Sequence, residues 1–121
     1  MATYSKLPLS NSSNGKTILI GLSSLPGTTI HSTGSNNTNI DEVWLYATNI
    51  SGIDSMLTLY WGTSASTDII CNANIQAYTG ATLIIPGLII SGTGESVNTV
   101  NAISSELSAI NISGYINRIT A

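Results

Sequence analysis

One histidine, one cysteine, three Lys plus Arg and six Asp plus Glu are, beside the abundant Ser, Thr and Tyr hydroxyls, the stock of side chains from which acid–base, nucleophilic or metal chemistry could be built. His31 is the one imidazole base, and a hydrolytic Ser–His–Asp arrangement would need it. No Gly-x-Ser-x-Gly elbow presents a serine to it, and a Ser-rich chain supplies Ser/His/Asp combinations by chance. His31 therefore reads as a polar residue at a strand end. Cys71 follows Ile69-Ile70 and reads as a small buried hydrophobe rather than a thiolate nucleophile. As the single cysteine it also excludes an internal disulfide framework and a Cys-based zinc site. Asp41 and Glu42 are adjacent on a predicted strand, where successive side chains point to opposite faces, so they cannot act as a paired acid and base. One of them is expected to pair with Arg118. Gly15-Lys16-Thr17 has the end of a phosphate loop, but the glycine required five positions earlier is Ser10, and a strand rather than a helix follows. Asn11, Asn36, Asn49 and Asn111 each open an Asn-x-Ser/Thr sequon, a match that this composition produces freely. No catalytic, cofactor-binding or metal-ligating residues are expected.

The elements that position these residues follow from composition. The chain has 121 residues, the length of one domain. Apolar residues make up 42%, a normal share, but charged residues only 7%, against about 25% in soluble domains. Eighteen Ser, 15 Thr and 12 Asn supply the polar surface instead. Three basic residues and a net charge of −3 cannot neutralise a phosphate backbone, which argues against nucleic acid as partner. The longest apolar stretch, 82–90, is broken by Pro86-Gly87 and is too short to span a membrane; the N-terminal residues lack the apolar core of a signal peptide. Eighteen Ile against three Val, with the many Thr, is an excess of χ1-stiff residues that suit a pleated sheet.

Residues 1–14 read as a polar, flexible arm in which Leu7-Pro8-Leu9 could dock on a neighbouring subunit; 15–121 form the domain. Strands are expected at 16–22, 28–32, 40–48, 55–61, 68–77, 81–85 with 88–90, 96–102 and 109–119. A type II turn is expected at Leu25-Pro26-Gly27, and the strands 40–48 and 55–61 are expected to pair as a hairpin across Ser51-Gly52. No window carries a helical stripe, and turn signals recur every 8–12 residues or so, the spacing of an all-β sandwich or barrel. Alternation places Val43, Leu45, Ala47, Leu57, Leu59, Ile110, Ile112 and Ile116 toward a core. Trp44, Tyr46, Tyr60 and Tyr115 fall on the other side, a set of rings expected to pack against another subunit.

The stretches IDEVWLYATN (40–49) and INISGYINRI (110–119), with LTLYWG (57–62) and IIPGL (84–88) between them, resemble small virion structural proteins of tailed bacteriophages, many of which are capsid decoration or cement proteins. The resemblance runs from about residue 16 to the end and carries no catalytic signature. It implies a single antiparallel β-sandwich, jelly-roll-like, that stabilises the head shell without enzymatic activity or cofactor. Its partners would be the major capsid protein and copies of itself, as a trimer, in a virion assembled in the host cytoplasm. A neck, tail or fibre component is the nearest alternative. A carbohydrate-binding sandwich using Trp44, Tyr46, Tyr60 and Trp61 is the rival from another class.

Overall fold

The computed structural model describes residues 2–21, 23–24 and 26–120. Among these residues the chain forms nine strands and one turn of 3-10 helix at Ser66–Asp68. The strands are β1 (Thr3–Pro8), β2 (Ile18–Leu19), β3 (Thr28–Ser32), β4 (Ile40–Asn49), β5 (Ser55–Gly62), β6 (Ile69–Ile75), β7 (Thr82–Ile90), β8 (Thr99–Ser104) and β9 (Ile110–Thr120). All pairings are antiparallel, and one set of them is nested: β1 and β2 meet β9, β3 meets β8, β4 meets β7 and β5 meets β6. Two further pairings, β4 with β9 and β5 with β8, gather the strands into two sheets. One has the order β1-β9-β4-β7, with β2 also on β9; the other has the order β3-β8-β5-β6. The result is the antiparallel β-sandwich expected from the turn spacing.

Period-2 alternation builds the core. Along β4 every second residue from Asp41 to Asn49 is buried, and every intervening one is half-buried. Val43, Leu45 and Ala47 from one sheet face Leu57, Leu59, Val100 and Ala102 from the other, with Ile110, Ile112 and Ile116 from β9. Each fully buried Leu, Ile or Val contributes about 1.5–3 kcal/mol relative to exposure, so this aliphatic layer dominates stability.

Four expectations are corrected. The segment 1–14 is not a free arm: β1 pairs residue by residue with β9, from Thr3 with Thr120 to Pro8 with Tyr115. The polar composition of 1–6 hid this, because an edge strand needs backbone partners more than apolar side chains. Strands β4 and β5 do not form a hairpin but lie in different sheets. Their Val/Leu faces meet across the core, and Asn49, whose amide donates to the Ile53 and Ile75 carbonyls at 2.9 Å each, ties the connecting loop to β6. The segments 81–85 and 88–90 are one strand, β7, which absorbs Pro86-Gly87 as a bulge opposite Val43 and Trp44. Of the strand expected at 16–22, Ile18 and Leu19 pair with β9, and Leu22 lies outside the described residues. Leu25 of the expected turn also lies outside them; Gly27 has φ +77° and donates its N–H to the Ser24 carbonyl.

Candidate functional site

The outer face of the β1-β9-β4-β7 sheet collects most of the polar and aromatic side chains singled out above. The register arranges them in rows across the strands. Tyr4, Ile119 and Ile40 form one row, and Lys6, Asn117, Glu42 and Ile89 the next. Then come Pro8, Tyr115, Trp44 and Pro86, and last Ser113, Tyr46 and Leu83. Trp44 and Tyr115 stack with ring centroids 6.1 Å apart and planes 13° from parallel. The Lys6 ammonium sits 4.8 Å from the centre of the Tyr115 ring, within reach of its negative π face. Trp44 donates its indole N–H to Glu42 Oε1 at 2.7 Å, and Asn117 donates its amide N–H to the same oxygen at 3.0 Å. The Asn117 bond first and the Trp44 bond second hold the Glu42 carboxyl below its ordinary range. Tyr4, Ser5, Lys6, Glu42, Asn117 and Ile119 line a cavity of about 380 Å³ beside the stacked rings. Toward β7 the same face continues as exposed Leu83 and Ile89.

Gly87 seats the Trp44 indole. It has φ +83°, and a Cβ there would lie 2.8 Å from Trp44 Cζ2 and 2.9 Å from Cε2. Gly87→Ala combines a left-handed backbone penalty with overpacking, and is expected to cost about 1–3 kcal/mol. Urea unfolding and near-ultraviolet circular dichroism check this: the indole signal should change with the stability. An unaltered indole signal and midpoint would show that the ring does not rest on Gly87.

The expected four-ring set is only partly assembled. Trp44, Tyr46 and Tyr115 share the outer face and are half-buried. Tyr60 does not join them: it lies on β5 in the other sheet, beside Asn101, and is 5% exposed. Alternation assigns each ring a side of its own strand, but not the sheet to which that strand belongs. Nor do Leu7-Pro8-Leu9 form a docking segment. Leu7 packs on the chain's own core, Leu9 is inside it, and only Pro8 is exposed. Trp61 packs against the core rather than joining Trp44 on the surface.

A second constellation lies inside the sandwich. His31 lies one residue from the end of β3, as expected, but it is buried at 1% exposure rather than a polar surface residue. The Ser10 backbone N–H donates to its Nδ1 at 3.0 Å, which assigns the ring proton to Nε2, and Nε2–H donates to Asp41 Oδ2 at 2.8 Å. Arg118 donates from Nε to Asp41 Oδ1 at 2.8 Å and from its terminal nitrogen to Oδ2 at 3.0 Å, the bidentate fork of a guanidinium on a carboxylate. Of the two acidic candidates, Arg118 thus takes Asp41, while Glu42 on the opposite face takes Asn117 and Trp44. Burial alone would push the Asp41 carboxyl up; the hydrogen bonds from His31 and Arg118, and the Arg118 charge, outweigh it and bring it down to about 2. The arrangement joins β3 in one sheet to β4 and β9 in the other. Both imidazole nitrogens are committed, so it acts as a tie between sheets rather than a site open to substrate. The His31–Asp41 contact had no signal in the sequence, because ten residues between two sheets carry no periodicity that links them.

Cys71 is half-buried on β6, and burial pushes its thiol up, away from the thiolate form. Among the described residues, no three or more His, Cys, Asp and Glu side chains gather where they could hold a metal ion. Among the described residues, too, no helix is long and apolar enough to cross a membrane. Compared with protein-family models, with curated proteins and with solved structures, the chain matches none.

Proposed function

We propose that this chain is a non-enzymatic structural subunit of a tailed-phage virion, a cement protein that docks on the major capsid protein through the outer face of the β1-β9-β4-β7 sheet. The observation that carries the reading is that face: stacked Trp44 and Tyr115, Tyr46 and the exposed Leu83 and Ile89 on one sheet. Aromatic rings with a polar handle dominate interface hot spots, and apolar surface of this kind marks interaction sites. The nested pairing of β1/β2 with β9, β3 with β8, β4 with β7 and β5 with β6 supports a jelly-roll assignment. The resemblance of 40–49 and 110–119 to phage virion proteins supports the class. A Ser/Thr/Asn-rich surface suits the role, because neutral hydrogen bonds are not screened by salt as exposed ion pairs are.

Trp44→Ser with Tyr115→Ser tests the docking face. The double variant is expected to keep its β circular dichroism, since neither ring is in the core, and to lose binding to particles that lack the protein. Full binding by a folded double variant would overturn the reading. Imaging of particles that carry the chain discriminates its place: copies spread over the head mean cement, and copies confined to the neck, tail or fibres mean the alternative. Saccharide binding is a second reading, favoured by the cavity bounded by Tyr4, Lys6, Glu42 and Asn117. Glycan binding by the isolated wild-type protein that Glu42→Gln abolishes would select it.

A further inference from the structure

The single histidine of the chain fastens its first strand. Strand β1 is the end strand of its sheet, and along it Leu7 is half-buried while the other residues are exposed. Its hold on the sandwich therefore rests on the ladder with β9 and on the residues that follow it, where the chain meets β3 of the other sheet. Leu9 is buried there. The Ser32 N–H donates to Ser10 Oγ and the Asn11 amide donates to the Thr29 carbonyl, both at 2.6 Å. The Asn11 backbone N–H donates to the Ile30 carbonyl at 3.3 Å. The remaining bond differs in kind, because the Ser10 N–H donates to Nδ1 of His31 at 3.0 Å. A hydroxyl and two carbonyls accept the other three bonds and do not titrate; an imidazole nitrogen does.

Imidazole accepts a hydrogen bond only while neutral, and imidazolium donates from both nitrogens. A proton on Nδ1 and the Ser10 bond therefore exclude one another, so acid favours the form in which Ser10 has left. The charged group in contact with the ring is Asp41 of β4, at Nε2; Arg118 of β9 stands behind it on the same carboxylate. The carboxylate favours an added charge on the ring and the guanidinium opposes it. Strand β3 itself, β8 beside it and residues 7–15 carry no Asp, Glu, Lys or Arg. Lys6 and Glu42 line the cavity on the outer face of the other sheet. Asp41, held down at about 2, stays ionised over the range in which histidine changes charge, roughly pH 8 to 5. It accepts from Nε2 in both states, so the change falls on Ser10 rather than on the tie between sheets. We infer that His31 is an acid-operated latch: a proton on Nδ1 turns out Ser10 and releases residues 3–12, while the two sheets stay joined through Asp41. Release carries Tyr4, Ser5 and Lys6 out of the cavity wall and Lys6 off the Tyr115 ring, so it also reshapes the outer aromatic face. The latch stands whether or not that face docks on a capsid.

Two nuclear magnetic resonance measurements on the wild-type protein test it, each followed from about pH 8 to pH 5. One is the nitrogen shifts of the imidazole; the other is amide hydrogen exchange, corrected for its intrinsic rate. The ring is expected to pass from the Nε2–H tautomer to imidazolium. The protected amides of β1 and that of Ser10 should open in step with it, by up to about tenfold per pH unit for one proton bound on opening. Amides of β4, β5 and β8 should keep their protection. His31→Asn offers Ser10 an amide oxygen that takes up no proton, and is expected to hold the segment closed at every pH. His31→Gln reaches Asp41 instead, and is expected to leave the segment open at every pH. The wild-type measurements decide alone if neither variant folds. Imidazolium with Ser10 still protected, a ring still neutral at about pH 5, or opening ahead of ring protonation would each overturn the inference. Loss of protection throughout both sheets at once would do the same, as would a folded His31→Asn protein whose segment still opens with acid.

Discussion

Arg118→Met is expected to destabilise the fold by about 3–5 kcal/mol, the range for removing one partner of a buried ion pair, rather than the 1 kcal/mol or less, roughly, of an exposed pair. The distinction rests on Asp41. Its side chain is 3% exposed while that of Arg118 is 32% exposed, so removing the guanidinium leaves a buried carboxylate with only the neutral His31 N–H as donor. Met retains much of the aliphatic stem, so the measured loss reports the ion pair and not a cavity. Urea unfolding at neutral pH measures it, and a loss below about 1 kcal/mol would mean that solvent reaches Asp41 and the pair behaves as a surface one. The pH dependence has a definite sign. The Asp41 carboxyl is held at about 2 in the fold, below its ordinary value of 3.8. A depressed folded-state value adds stability that is complete above the ordinary value and is lost as pH falls toward the folded one. The stability gap between the wild type and Asp41→Asn should accordingly be full at pH 6, begin to close below about pH 4 and narrow toward pH 2.

Gly114→Ala is expected to prevent the native sheet from forming. Gly114 faces Leu45 in the β9–β4 pairing, at φ +150°. A Cβ on it would lie 2.0 Å from the Trp44 carbonyl oxygen and 3.2 Å from Leu45 Cα. These are backbone atoms at the centre of the sheet and no rotamer change can relieve the overlap. Overpacking a core side chain costs about 1–3 kcal/mol; a clash with backbone must exceed that or break the pairing. The expected result is loss of β circular dichroism or inclusion-body expression, in contrast to Gly87→Ala, where the obstructing indole can move. A folded Gly114→Ala protein with near-wild-type stability would show that β9 can shift relative to β4.

Much of the fold is legible in the chain because sheet physics is local in one respect. Strand 28–32 has the bounds read from it, and 40–49, 55–62 and 110–120 lie within a residue of their expected ends. The three longer ones alternate with period 2 between polar or glycine-containing turns, whereas 28–32 is a short Thr/Ile run whose buried Ile30 and His31 are adjacent across a bulge. The same alternation separates Asp41 from Glu42, places Val43, Leu45 and Ala47 inside, and leaves Trp44 and Tyr46 outside. The scarcity of charge made Arg118 the natural partner for one acidic residue on that strand, as it proves to be.

What alternation cannot contain is which strand pairs with which. Pairing is set by the packing of whole faces across the core, between residues far apart in sequence. Hence β4 and β5, adjacent in the chain, enter different sheets, while β4 and β9 lie side by side and bring Trp44 against Tyr115 and Asp41 against Arg118. Hence also Tyr60 leaves the aromatic rows and the polar residues 3–6 become a sheet edge, where main-chain hydrogen bonds outweigh side-chain polarity. The chain by itself determined a sparsely charged, all-β, two-faced sandwich, because residue type and period decide the pleat. The tie of His31 to Asp41 and the place of Tyr60 away from the aromatic rows were decided only by the tertiary structure, because each depends on how the two sheets assemble rather than on the order of residues along either.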